Sequence, residues 1–200
     1  MIQRQQGGIV KIFGMMVLVA ALVAAGGFAW SGYFDVSALT PHFAVTNWAL
    51  HGIMRRSVKT HAASIKPPEN LAGLVMEGAD DFGEMCATCH GAPGKEASEI
   101  GLGLNPKPPA LSQAVRHWSD PELFWIVKNG VRMTGMPAFG PTHDDDRIWA
   151  IVAFARQLPE MTPEDYAKRT VGAVEDAPHE HDHHDQGHQD RDHHTHDHPD

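Results

Sequence analysis

Cys86 and Cys89 are the only two cysteines in this 200-residue chain, and His90 follows the second directly. Two thiols held two residues apart can add across the two vinyl groups of a porphyrin. A histidine placed next to the second thiol then lies under the bound iron, where its ring nitrogen is a proximal ligand. C-x-x-C-H is the attachment pattern of a c-type haem. Two other chemistries use a close cysteine pair. A structural zinc site needs four protein ligands, and this chain has no second cysteine pair to complete one. A thioredoxin-like redox pair belongs in a strand–helix–strand setting, whereas the flanks here read as helical and rich in Gly and Pro. Both cysteines sit in one motif, so no structural disulfide is available, and the compartment must be inferred from export.

The export signal lies at the N-terminus. From Ile12 to Trp30 every residue is apolar or Gly, long enough to cross a hydrocarbon core of ~30 Å as a helix. Arg4 and Lys11 precede this run and no acid occurs before Asp35. The positive-inside rule therefore puts residues 1–11 in the cytoplasm and everything after the anchor, residues 12–34, outside it. Trp30, Tyr33 and Phe34 read as an aromatic belt at the far interface. A cleaved signal peptide is the alternative, with Ala24, Ala25 and Gly26 as its small residues. The length of the run favours an uncleaved anchor. Either way Cys86–His90 is exported, so the expectation is a single-pass inner-membrane protein with its haem domain in the periplasm.

A connector, residues 35–68, separates the anchor from the haem motif. Thr40-Pro41 suggests a helix start, with Thr40 as the cap. Val45, Trp48, Ala49, Gly52 and Ile53 would share one face, followed by Arg55, Arg56 and Lys59. That pattern suits an amphipathic helix on a membrane surface, and equally a helix packed on the haem domain. His42, His51 and His61 read as solvated side chains. Pro67-Pro68 ends the connector.

The haem domain is expected over 69–166. Leu71, Leu74, Val75, Gly78 and Phe82 recur at helical spacing and predict a helix over 70–84. Gly78 would let another helix approach closely. Residues 91–109 read as a Gly/Pro-rich loop, with Pro109-Ala110-Leu111 passing the haem on the His90 side. Ser119-Asp120-Pro121-Glu122 is a capping box opening a second helix, which Gly130 ends. A third starts near Thr142-His143-Asp144-Asp145 and runs to Leu158-Pro159.

Together these features resemble a class I monohaem cytochrome c. The resemblance rests on Gly78 and Phe82, Cys86 to His90, Pro109 and Leu111, Gly135-Met136-Pro137, and the helix around Ile151 and Phe154. It covers less than half of the chain and implies an all-α fold of three or more helices around one covalent haem c, preceded here by one transmembrane helix. It implies further that His90 is the proximal ligand, Met136 the distal one, and Pro109 the acceptor that orients His90. Met133 lies three residues from Met136, but only Met136 is framed by Gly and Pro as the resemblance requires. Arg116, Trp118 and Arg132 are candidates for holding the haem propionates, since guanidinium suits carboxylate.

Charge is unevenly placed. The formal net charge is −9, and residues 175–200 carry nine acids against Arg191 alone. The body is nearly neutral, with no basic patch of the kind nucleic acid requires. In 167–200, His179, His181, His183, His184, His188, His193, His194, His196 and His198 alternate with Asp. Such a tail cannot bury a core and is expected to be disordered. Its imidazoles and carboxylates suit Zn, Cu(II) or Ni(II).

The resulting expectation is not an enzyme. It is a membrane-tethered electron carrier with His/Met ligation, working between a redox donor and acceptor and possibly on a respiratory complex. Two alternatives are a periplasmic metal-handling haem protein that uses the tail, and a haem enzyme or sensor with a displaceable distal ligand.

Overall fold

The computed structural model describes residues 2–175, with side chains from 11 to 170. The histidines of the expected metal-binding tail lie outside the described residues. Among those residues every regular element is helical, apart from one isolated bridge between Ala92 and Lys95. This is the all-α architecture expected.

α1 (Ile2–Trp30) contains the apolar segment Lys11–Trp30, of mean hydropathy 2.3, long and apolar enough to cross a membrane. Tyr33 and Phe34 lie beyond the helix end. α2 spans Ala44–Ala62 and starts later than Thr40-Pro41 suggested. The Asp35 carboxylate explains the delay. It accepts from Ser37 N–H at 2.8 Å and takes the Thr40 hydroxyl, so Thr40 closes a turn instead of capping a helix. Those same two bonds hold the Asp35 carboxyl below its ordinary pKa.

The single helix expected over 70–84 is broken. A 3-10 turn at Leu71–Leu74 is followed by α3 (Ala79–Asp81), a π-helical turn at Phe82–Cys86, and α4 (Ala87–His90). Gly78 precedes this composite helix and lies against a later helix, Asp145–Gln157: a methyl there would sit 2.1 Å from Ala150 O. The close approach read from Gly78 is therefore present. The π turn widens the backbone by one residue per turn just before the two thiols, the kind of irregularity common at functional sites.

α5 (Glu99–Leu102) is a single turn within the Gly/Pro-rich segment, and α6 (Leu111–Ala114) is a single turn just after it. α7 (Asp120–Asn129) opens on the expected capping box, in which Ser119 N–H donates to Glu122 Oε2 at 2.7 Å. It ends at Gly130, whose φ of 65° suits a residue without Cβ. α8 (Asp145–Gln157) is capped by Asp144, which accepts from Arg147 N–H at 2.9 Å, two residues after the expected Thr142. α9 (Pro163–Glu175) was not anticipated and runs past residue 166, into what the composition suggested was tail. Thr162 opens it, accepting from Asp165 N–H at 3.2 Å, with Pro163 in the first turn. Thr162-Pro163-Glu164-Asp165 was the overlooked signal.

The core is built on α8, of which Ile148 through Ala155 are buried. Phe82 of the π turn packs on Phe154 with centroids 5.1 Å apart, and Tyr166 of α9 stands edge-on to Phe82 at 6.4 Å. Phe124 stacks on Trp149 at 4.3 Å, tying α7 to α8. Two charged clamps supplement this packing. Arg147 grips the buried Asp81 with two nitrogens, fastening α3 to α8. Arg156 reaches Asp120 and the carbonyls of Val115 and Trp118, fastening the approach to α7.

Candidate haem site

The attachment motif sits at a helix end. Cys86 closes the π turn, Cys89 and His90 occupy the last turn of α4, and Gly91 (φ 68°) turns the chain away. A methyl at Gly91 would lie 2.9 Å from Lys95 O, so this sharp exit needs glycine twice over, for its φ and for space. Both thiols and the imidazole are half-buried.

His90 Nδ1 lies 2.8 Å from Pro109 O. A carbonyl can only accept, so Nδ1 carries the proton and donates it, leaving the lone pair on Nε2. Burial holds His90 below its ordinary pKa, against the opposing pull of the Pro109 carbonyl. The ring is thus neutral at pH 7 and in the tautomer that ligates through Nε2.

The Met136 loop is shaped by its own hydrogen bonds. Thr134 Oγ1 donates to Val131 O at 2.7 Å and accepts from Met136 N–H at 3.1 Å. Phe139 and Gly140 N–H donate to Val127 and Lys128 carbonyls, seating the loop on the end of α7. Gly130 packs against the Pro137 backbone. Within this loop Met136 is half-buried, whereas Met133 is 66% exposed and has a positive φ of 62°.

Contacts through α5 connect the two halves of the site. Gly101 packs on the Cys89 backbone, where a methyl would be 2.7 Å from Cys89 O. Leu104 N–H donates back to Gly101 O, and the Leu104 side chain covers Gly135. The path Cys89, Gly101, Leu104, Gly135 brings the attachment motif and the Met136 loop to one region, although they are far apart in sequence. A separate cleft of about 410 Å³ opens between the π turn and α9, lined by Glu84, Lys95 and Tyr166 among others, and includes none of these residues.

Residues 73–154 match the family described as cytochrome C oxidase, cbb3-type, subunit III. The chain therefore carries a c-type cytochrome domain. No curated protein matches it. A domain of this family implies covalently bound haem c.

The residues present in this cytochrome fit that group. Burial, then the charge of Asp81, then Cys89, push the Cys86 thiol up to about 12. A thiol so placed is protonated at neutral pH, the form whose S–H adds across a vinyl group to give a thioether. Cys86 and Cys89 would hold the group through thioether links, and His90 would present Nε2 to its iron.

The expected propionate partners divide. Arg116 is committed elsewhere, its guanidinium donating to Pro159 O at 3.3 Å and pairing with Glu160 at 3.0 Å. Trp118 lies under Arg55, 4.9 Å from the guanidinium carbon to the ring centroid. Arg132 remains exposed beside the Met136 loop and makes no ion pair among the described residues. Two contributors were not anticipated from sequence, Gly101 and Leu104, since nothing in a Gly-rich loop marks which residue will cover which partner.

Proposed function

We propose that this cytochrome is a membrane-tethered electron carrier of the periplasm, its haem attached through Cys86 and Cys89 and ligated by His90 and Met136. The bond from His90 Nδ1 to Pro109 O at 2.8 Å carries the reading. It fixes the ring's orientation and leaves Nε2 as the ligating atom, without any need for deprotonation. The half-burial of Met136 against the 66% exposure of Met133 supports the choice of distal ligand. Bound haem c supplies a one-electron ferric/ferrous couple, whose potential a thioether ligand raises relative to a second histidine. The protein's part is to close both axial positions, keeping small molecules off, and to hold them with little rearrangement between oxidation states. α1 supports the tether, and the lack of acids before Asp35 supports export of everything beyond it. The partners are then a redox donor and acceptor, with a respiratory oxidase the class favoured by the matched family.

The test is a visible spectrum of the purified protein in both oxidation states, together with a pyridine haemochrome assay and exposure of the ferrous form to carbon monoxide. Covalent haem with slow, substoichiometric carbon monoxide binding is expected. Fast stoichiometric binding at neutral pH would instead favour a haem enzyme or sensor.

The tail sequence supports a second activity on the same chain, coordination of Zn, Cu(II) or Ni(II) by its imidazoles and carboxylates. Equilibrium dialysis at neutral pH should show the full chain taking up more metal than a chain ending at Gly172. Equal uptake would remove the idea.

A further inference from the structure

α2 has two faces with different fates. Leu50, Met54, Val58 and Ala62 recur every four residues, a single helical stripe. Val58 and Ala62 are 0% and 3% exposed, Leu50 and Met54 are half-buried, and α2 packs on α7. Alongside this stripe His61 stacks on Trp125 and Arg55 covers Trp118. Val45, Trp48, Gly52, Arg56 and Lys59, spaced three, four, four and three apart, form the opposite stripe, and all five are exposed. Its first turns are apolar, with Val45 69% and Trp48 77% exposed, and its last turns are basic. Val36, Leu39 and Phe43 just before it are 88%, 93% and 77% exposed. Scattered exposed apolar residues need no explanation, but a run of them on one strap does.

We infer that this strap and the exposed stripe of α2 lie on the bilayer surface as a second membrane contact, apolar residues among the acyl chains and Arg56 and Lys59 among anionic headgroups. The inference rests on reading α1 as an anchor. Two observations point to lipid and not to a protein. First, the domain is clamped close to the end of the span. Asn105 Nδ2 donates to Ala38 O and Thr40 O, each at 3.0 Å, and residues 30 to 38 reach at most about 28 Å even fully extended. Second, residues 36–68 hold Arg55, Arg56, Lys59 and Lys66 and no acid, in a chain of net charge −9. Aromatic and aliphatic residues graded into lysine and arginine suit the interface between acyl chain and headgroup. The domain is then held at two points in one orientation, instead of swinging on a flexible tether, and so presents one fixed side to its redox partners.

The full-chain holoprotein, reconstituted in vesicles, tests this through nitroxide labels at Val45→Cys, with Val19→Cys in the span and Glu164→Cys on α9 as references. The native cysteines are occupied by the haem thioethers. Collision with oxygen, which concentrates in lipid, is compared with collision with a water-soluble nickel chelate. The expected oxygen-to-nickel ratio at position 45 is several-fold above that at 164 and approaches that at 19. In anionic vesicles, Arg56→Glu with Lys59→Glu should lower the ratio at 45, as should wholly zwitterionic lipid. A ratio at 45 equal to that at 164, with 19 in lipid, overturns the inference and leaves the anchor intact. A water-exposed 19 defeats both. A label at 45 shielded from both reagents means a protein covers the face, and overturns the inference. No response to charge reversal or lipid charge overturns the role of anionic headgroups.

Discussion

The two sides of the haem site are built in different ways. On the His90 side, two thiols and the proposed ligating histidine come from five consecutive residues, and the helix carrying them is pressed into α8 at Gly78, Asp81 and Phe82. The Pro109 carbonyl arrives from 19 residues on, and Gly101 packs on the Cys89 backbone. On the Met136 side the proposed ligand sits in a loop held by the two Thr134 hydrogen bonds, by Phe139 and Gly140 N–H on the end of α7, and by the flexible end of Leu104. The contrast implies that the first side is rigid and all-or-none, whereas the second can be altered with the haem still in place.

That contrast can be broken most directly at the thiols. Cys86→Ala or Cys89→Ala should leave little or no protein with two thioether links, read as a loss of the haemochrome spectrum or its shift toward that of a vinyl-bearing haem. An unshifted spectrum in either variant would refute attachment there. At Met136→Ala, covalent haem should persist at the parental level. The weak thioether-to-iron band of the oxidised form should vanish, the potential should fall, and the ferrous form should bind carbon monoxide quickly. Met133→Ala should change none of these, and the reverse pattern would exchange the two methionines.

Two glycines sharpen the comparison through stability. A methyl at Gly78 meets backbone, 2.1 Å from Ala150 O and 2.3 Å from Ala150 C. Gly78→Ala should therefore cost about 3 kcal/mol or more, the upper range for overpacking, because α3 and α8 must move apart. A methyl at Gly135 meets only the tip of Leu104, at 2.5 Å. A side chain can rotate away, so Gly135→Ala should cost about 1 kcal/mol. Denaturant unfolding of the two variants measures the difference, and equal losses would mean the two sides are equally rigid.

Legibility in the sequence followed the range of the interaction. The α7 cap is written in Ser119 to Glu122, and the helix stop in Gly130, so both were readable. Gly78 was readable as a close approach because helical periodicity placed it on the buried face. The breaks between Leu71 and His90 were not readable, because the π turn and the 3-10 turn follow from how the segment seats against α8. Thr40 misled because a local cap signal lost to a nearby acceptor, Asp35. For Arg116 the partner seen is Glu160, which guanidinium chemistry alone does not name.

By itself the sequence pointed to the covalent chemistry and the direction relative to a membrane that we propose: a thiol pair at fixed spacing, a histidine beside it, and an apolar run preceded by cations. Those are properties of neighbouring residues, which a chain carries whether folded or not. Tertiary structure alone decided which ring nitrogen of His90 is free, which of the two methionines is the more buried, and that the connector is a docked strap and not a loose linker. Each of these depends on a partner far along the chain, Pro109 for His90, Leu104 for the Met136 loop, Asn105 and α7 for the strap. Such pairings arise only when the core on α8 has closed and brought those residues together.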